Sequence, residues 1–391
     1  DNFTELYGGT TSALGFKSEG TNFTGSLLIG HSTTGVISSA ENNTGVGIGA
    51  LDALTSGDSN VAIGNLAGSA ITEGGSNILL GRAAGDALTT GSNNVAIGHF
   101  ALSGEDGHGR NVAVGSGALN IQNAGAHAYN VAVGYNAGLS VTTGTLNTIM
   151  GGLAGSALTT GEKNIAIGYN ALATEDTGDR SVAIGHGALR YQNNDASNYN
   201  VAVGYDAGTN ITTGVQNTII GGLAGDALTT ASFNVAIGYS ALSTEDENGR
   251  NIAIGYFALN AQNAGTDAYN VAIGFKAGEN VSTGTKNVII GGLAGDALTA
   301  GGFNIAIGYA ALSTEDGHGH NIAIGREALF AQNADAEAYN VAIGDLAGKS
   351  VTTGTQNTII GGNAGDALTS GHYNVAIGHN ALSTEDEHGR N

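Results

Sequence analysis

The chain contains no proline, no cysteine and no tryptophan, a single methionine, and 12 lysines and arginines against 33 aspartates and glutamates. Without cysteine there is neither a disulfide framework nor a thiolate zinc site. That absence does not identify a redox compartment, because a regular β-ladder needs no covalent staple. The net charge of −21 excludes a protein that grips phosphate backbones, so no nucleic-acid partner is expected. It also disfavours docking on anionic lipid. No run approaches the roughly 18 apolar residues of a spanning helix, and Asp1 does not open a signal peptide, so direct membrane insertion is not expected. What the chain has in excess is glycine, 67 of its 391 residues.

Those glycines are periodic. A short apolar run ending in Gly, typified by Asn-Val-Ala-Ile-Gly, closes at Gly64, Gly81, Gly98, Gly115 and Gly134, and so on to Gly378. The steps are 17, 17, 17 and 19 residues, which repeat to give a super-period of 70. A fixed short period marks a solenoid, in which each repeat is one unit stacked on the next. Within Asn234–Arg250, Val235 and Ile237 alternate with Ala236 and Gly238, a period of two with β-branched residues on one face. No apolar stripe keeps a helical period, and Gly recurs too often for helices. The expectation is an all-β parallel β-solenoid (β-roll). Residues 43–391 form its repeat array and 1–42 an irregular entry segment with early coils. Asp1 reads as a processed or fragmentary start. The chain stops on Asn391, the first residue of a new coil, so the array is expected to continue beyond it.

Apolar bulk moves between two positions in a regular way. Where Gly208 and Gly225 follow the second Ala of a coil, Ile211 and Leu228 come three residues later; where Leu242 and Leu259 stand instead, the later residue is Glu245 or Gln262. This is the volume compensation that a closed, packed coil demands. The strand's other face carries Ala202, Ala236 and Ala253, and in every fourth coil Ile149, Ile219, Ile289 or Ile359. We expect this Ala/Ile strip to point outward as a subunit interface, since so long an apolar strip should not be left in water.

These residues resemble a known family. Asn-Val-Ala-Ile-Gly at coil spacing, with a small-residue outer face, resembles the head repeats of YadA-like trimeric autotransporter adhesins. Runs such as Gly-Tyr-Ser-Ala-Leu resemble repeats of phage-type tail fibres and bacterial surface fibres. The resemblance covers about 43–391, with coils longer than those of the adhesin heads. It implies a left-handed β-roll, three chains side by side and surface attachment.

Asn opens nearly every coil: Asn60, Asn77, Asn94, Asn111, Asn130, Asn164, Asn200, Asn234, Asn270, Asn304, Asn340 and Asn374, with Ser181 an exception. Stacked at one level, these side chains should form an amide ladder. Gly221-Gly222-Leu223-Ala224-Gly225-Asp226 is one change from the calcium β-roll nonapeptide, and Glu245 and Asp246 of the next coil could add oxygen ligands. Calcium is thus the one cofactor to weigh, against the simpler reading of no cofactor; Ser156 replaces the carboxylate one super-period earlier. The Thr-Thr-Gly turns suggest an ice-binding ladder, but Asp246 and Asn263 interrupt it. Glu175-Asp176, Glu245-Asp246 and Glu315-Asp316 recur in one turn and are expected to be solvated, locally paired charges rather than acid/base pairs. No enzyme is expected. Glycosylation patterns occur at Asn2, Asn22, Asn42, Asn210 and Asn280, with chance the simpler account. Tyr135, Tyr169, Tyr205, Tyr239, Tyr256 and Tyr309 follow the motif Gly; they should pack along a corner between coils or contact surface glycans. The whole points to an extracellular, cell-surface or virion fibre whose partner is itself, as a trimer or an end-to-end filament. The alternative is a monomeric solenoid that binds carbohydrate or calcium.

Overall fold

The structure, a computed structural model, describes residues 16–20, 23–30 and 37–384. Among these there is no helix: the chain is an all-β parallel solenoid with a coil of about 17 residues. It divides into two compact units between Asn198 and Tyr199.

In the first unit, β1 (Phe16–Gly20) pairs antiparallel with β2 (Phe23–Ile29), and Leu27–Ile29 of β2 pair in parallel with β3 (Thr44–Val46). Thus β2 is an early coil within the expected entry segment. Ser26 takes the place of the coil-opening Asn, its Oγ accepting a 2.8 Å hydrogen bond from the Asn43 N–H. Three-residue parallel strands then follow, one per coil, up to Val182–Ile184. The second unit repeats the scheme from Val201–Val203 to Val375–Ile377. Partners sit one coil apart, as in Val201↔Thr218 and Val235↔Ile252, or 19 residues apart across the longer coil, as in Ile252↔Val271.

The strand faces are the reverse of the sequence expectation. Ala202, Ala236 and Ala253 point inward and are wholly buried, as are Ile149, Ile219, Ile289 and Ile359. The flanking residues, Val235 and Ile237 for example, stay partly exposed. The physical reason is size. A 17-residue coil encloses a narrow interior, and three strand residues plus a turn cannot all contribute large side chains to it. Ala fits at the strand centre, and one larger group per coil fills the rest. The volume compensation is real but lies inside: where Ile149 replaces Ala at the strand centre, the neighbouring coil residue is Gly138. A Cβ at Gly138 would lie 2.9 Å from Ile149 Cδ1.

That Gly position carries positive φ in every coil type. Gly208 sits at φ 55° and Gly225 at 51°, and so do the residues that replace them, Leu242 at 53° and Leu259 at 46°. A left-handed Leu costs about 1 kcal/mol, offset here by burial of the whole side chain, worth about 2 kcal/mol. The motif glycine has a different reason. Gly134 has φ 141°, and a Cβ there would come within 2.5 Å of the Gly151 carbonyl one coil on. Backbone on neighbouring coils is too close at this corner for any side chain.

Candidate functional site

Three features of the coil could serve a function: the Asn ladder, the outward apolar face and an interior polar column.

The ladder holds the coils in register. Each Asn is buried, and its Oδ1 accepts from the backbone N–H of the next coil's Asn, at 2.9 Å for Asn200 to Asn217 and 3.0 Å for Asn217 to Asn234. Its Nδ2 closes its own coil on the carbonyl 14 residues later, as from Asn60 to Gly74 at 2.9 Å and from Asn270 to Gly284 at 2.7 Å. The same pattern includes Asn77, Asn130, Asn164, Asn340 and their neighbours. The 19-residue coil breaks it. Its longer turn displaces the carbonyl, and the Nδ2 atoms of Asn111, Asn251 and Asn321 are buried without a partner. Ser181 stands at the equivalent position, where there is no amide to orphan, and its Oγ accepts from Gln192 Nε2 at 2.8 Å. The exception in the sequence falls where Asn has least to do.

The outward face carries two parallel columns of Val, Ile and Leu per unit, broken by occasional Thr such as Thr148 and Thr218. Ile63, Ile78, Ile97 and Met150 are exposed in the first unit, and Ile220, Ile252, Ile273 and Ile343 in the second. Aromatic rings stand immediately after the motif glycine and immediately before the Asn. Tyr239, Tyr256 and Phe275 stack in succession at 5.6 and 5.5 Å; Phe303, His320 and Tyr339 do so at 5.0 and 4.8 Å. The tyrosines named in the sequence do pack along the corner between coils, and they remain about half exposed.

The interior column was misread in the sequence. Glu105, Glu175, Glu245 and Glu315 are wholly buried, not solvated, as are Gln122, Gln192, Gln262 and Gln332 one coil later. They stack at the level of Ile211 and Leu228 and inherit an inward direction from that register. Glu175 is well met. Its Oε1 accepts from the Gly178 N–H at 2.8 Å, and its Oε2 from Gln192 Nε2 at 2.9 Å and Asn198 Nδ2 at 3.0 Å. The other three accept one backbone bond at Oε1, from His108, Asn248 and His318, and have no partner at Oε2. Burial raises all four carboxyls above the usual range, and Glu245 and Glu315 are pushed up to about 7, helped by the adjacent Asp246 and Asp316 charges.

The calcium set is not assembled. Asp226 lies two positions before the Leu228 column in which Glu245 is buried, and Asp246 turns back to accept from the Glu247 N–H at 2.8 Å. Among the described residues, carboxylates and imidazoles converge in threes at two other places, Glu105–Asp106–His108 and Glu315–Asp316–His318. The recurrence of Glu-Asp-x-His in the sequence was the signal that could have found them. Of the glycosylation patterns, Asn42 is exposed. Asn210 and Asn280 are exposed too, with Nδ2 donating to the carbonyls of Asp226 and Asp296 at 2.8 and 2.7 Å. Asn2 and Asn22 lie outside the described residues.

No family model matches the chain, nor does any curated protein or solved structure. No helix among the described residues is long and apolar enough to cross a membrane.

Proposed function

We propose that the chain is a structural fibre segment, extracellular or virion-borne, whose copies pack side by side through the Val/Ile face, three to a bundle. The observation that supports this is the outward pair of apolar columns. In the second unit eleven strands at about 4.8 Å spacing give a strip about 50 Å long and 10 Å wide. The aromatic columns before and after the strands widen it. A patch of about 500 Å² is at the upper end of what monomers leave in water. A flat strip of β-branched side chains repeated coil after coil offers the same surface to every neighbour, which suits a symmetric bundle. The interface of this reading is therefore the Val/Ile face, and Ile149, Ile219, Ile289 and Ile359 are core residues behind it. No chemistry on a substrate belongs to the role.

Sedimentation equilibrium on the purified chain tests it. The parent should have the mass of three chains, or larger concentration-dependent masses if bundles also stack end to end. Ile220→Lys with Ile273→Lys, both on the exposed face, should reduce it to one chain while the β circular dichroism is kept. A parent of one-chain mass at micromolar concentration would sink the bundle and favour the monomeric binding module.

A further inference from the structure

We propose that Glu105–Asp106–His108 and Glu315–Asp316–His318 are two copies of a site for a divalent transition-metal ion of the zinc class. In each triad one ligand atom per residue lies within 4.8 Å of the others. His108 Nδ1 is 3.7 Å from Glu105 Oε1, and His318 Nδ1 is 3.9 Å from Glu315 Oε1. Those distances are too long for hydrogen bonds. They are within the span of two coordination bonds of about 2.1 Å meeting at one ion.

A second observation points to a ligand. The glutamates are wholly buried, and both Glu105 Oε2 and Glu315 Oε2 lack a partner; so do the buried Nδ1 atoms of His108 and His318. A buried carboxylate oxygen beside a buried, unbonded imidazole nitrogen leaves two good donors idle where idleness is costly. A cation between them satisfies both at once. The aspartate of each triad, toward solvent, supplies a third ligand and the route of entry. Imidazole with two carboxylates selects zinc and its neighbours over calcium, which takes oxygen alone.

The repeat supplies its own controls. At the two intervening equivalent turns the Glu-Asp pair is kept, but the histidine's place is taken by Gly178 and Asn248. Around Asn248 the turn is otherwise the same, its N–H donating to Glu245 Oε1 at 3.2 Å as the His318 N–H does to Glu315. Glu-Asp-x-His occurs once more, at Glu385, Asp386 and His388, beyond the described residues.

The test counts zinc equivalents by calorimetric titration of the chelator-treated full chain in excess Mg²⁺, which occupies unspecific carboxylates. His108→Ala and His318→Ala should each remove one equivalent. Asn248→His should add one, a gain that misfolding cannot produce. Zinc uptake unchanged in the alanine variants, or no additional equivalent in Asn248→His, would overturn the assignment.

Discussion

Glu175 in the first unit and Glu245 in the second occupy the same place in successive super-repeats, and their surroundings differ at three residues. Around Glu175 the turn has Gly178, the ladder has Ser181 and the long coil has Asn198; around Glu245 these are Asn248, Asn251 and Ala268. The three changes belong together. Asn198 reaches Glu175 Oε2 only because residue 178 is glycine: a Cβ there would overlap the Asn198 amide and lie 2.6 Å from Glu175 Oε1. Ser181 in turn frees Gln192 to face the carboxylate, whereas Gln262 points its Nε2 at the Ser282 carbonyl, 3.1 Å away. One repeat has completed a buried polar network; the other has left a carboxylate oxygen bare. The comparison teaches that a buried acid in a repeat is tolerated at two levels of satisfaction, and that the first requires concerted changes in neighbouring coils.

The largest effect should come from replacing the two acids. Glu175→Gln puts an amide against donors from Gly178, Gln192 and Asn198, and should cost about 2–4 kcal/mol at any pH. Glu245→Gln should act the other way. The folded carboxyl titrates at about 7, above its usual 4.5. The folded state therefore holds the proton more tightly, and stability falls as pH rises from about 4.5 to about 7. Removing the titration should leave stability near pH 4.5 unchanged and raise it at pH 8. Guanidinium midpoints at both pH values, parent against variant, decide it; a loss at pH 8 for Glu245→Gln would contradict the bare-oxygen account.

Transplanting the network sharpens the contrast. Ala268→Asn alone should be destabilising by about 1–3 kcal/mol, because its amide meets the Asn248 side chain. Ala268→Asn with Asn248→Gly should recover that loss and lower the Glu245 pKa, seen as a flatter dependence of the midpoint on pH between 5 and 7. Additive behaviour of the two substitutions would break the inference that these positions are coupled.

The smallest effect concerns the ladder. Asn217→Ser removes the bond from Nδ2 to the Ala231 carbonyl and should cost about 1–2 kcal/mol; Asn251→Ser removes an amide that has no partner and should cost less than about 1 kcal/mol. Equal losses in thermal or guanidinium unfolding would mean that the carbonyl bond contributes nothing.

Much of this was legible in the sequence. The 17/17/17/19 period, the ladder at the coil-opening Asn and the exchange of Leu242 for Gly225 all follow from spacing and volume. The inside and outside of the strand did not. An alternation of period two distinguishes two faces without saying which is buried, and the bulkier Val235/Ile237 pair suggested the wrong one. Only the narrowness of the closed coil decides for Ala236. The buried acids were missed because Glu245 was read by its neighbours, Asp246 and Arg250, instead of by the column it shares with Leu228. The converging His108 and His318 went unseen because they were weighed as scattered histidines and not against the Glu-Asp pair that precedes each.

The Asn ladder also has a direction. Each Asn closes its own coil through Nδ2 on a residue 14 positions later, and offers Oδ1 to the backbone of the coil that follows. A finished coil thus displays, as a template, the acceptor its successor needs, and none that depends on a coil not yet made. Assembly proceeds by short steps in the order of synthesis, so a longer array need not meet the steep kinetic penalty of distant pairings.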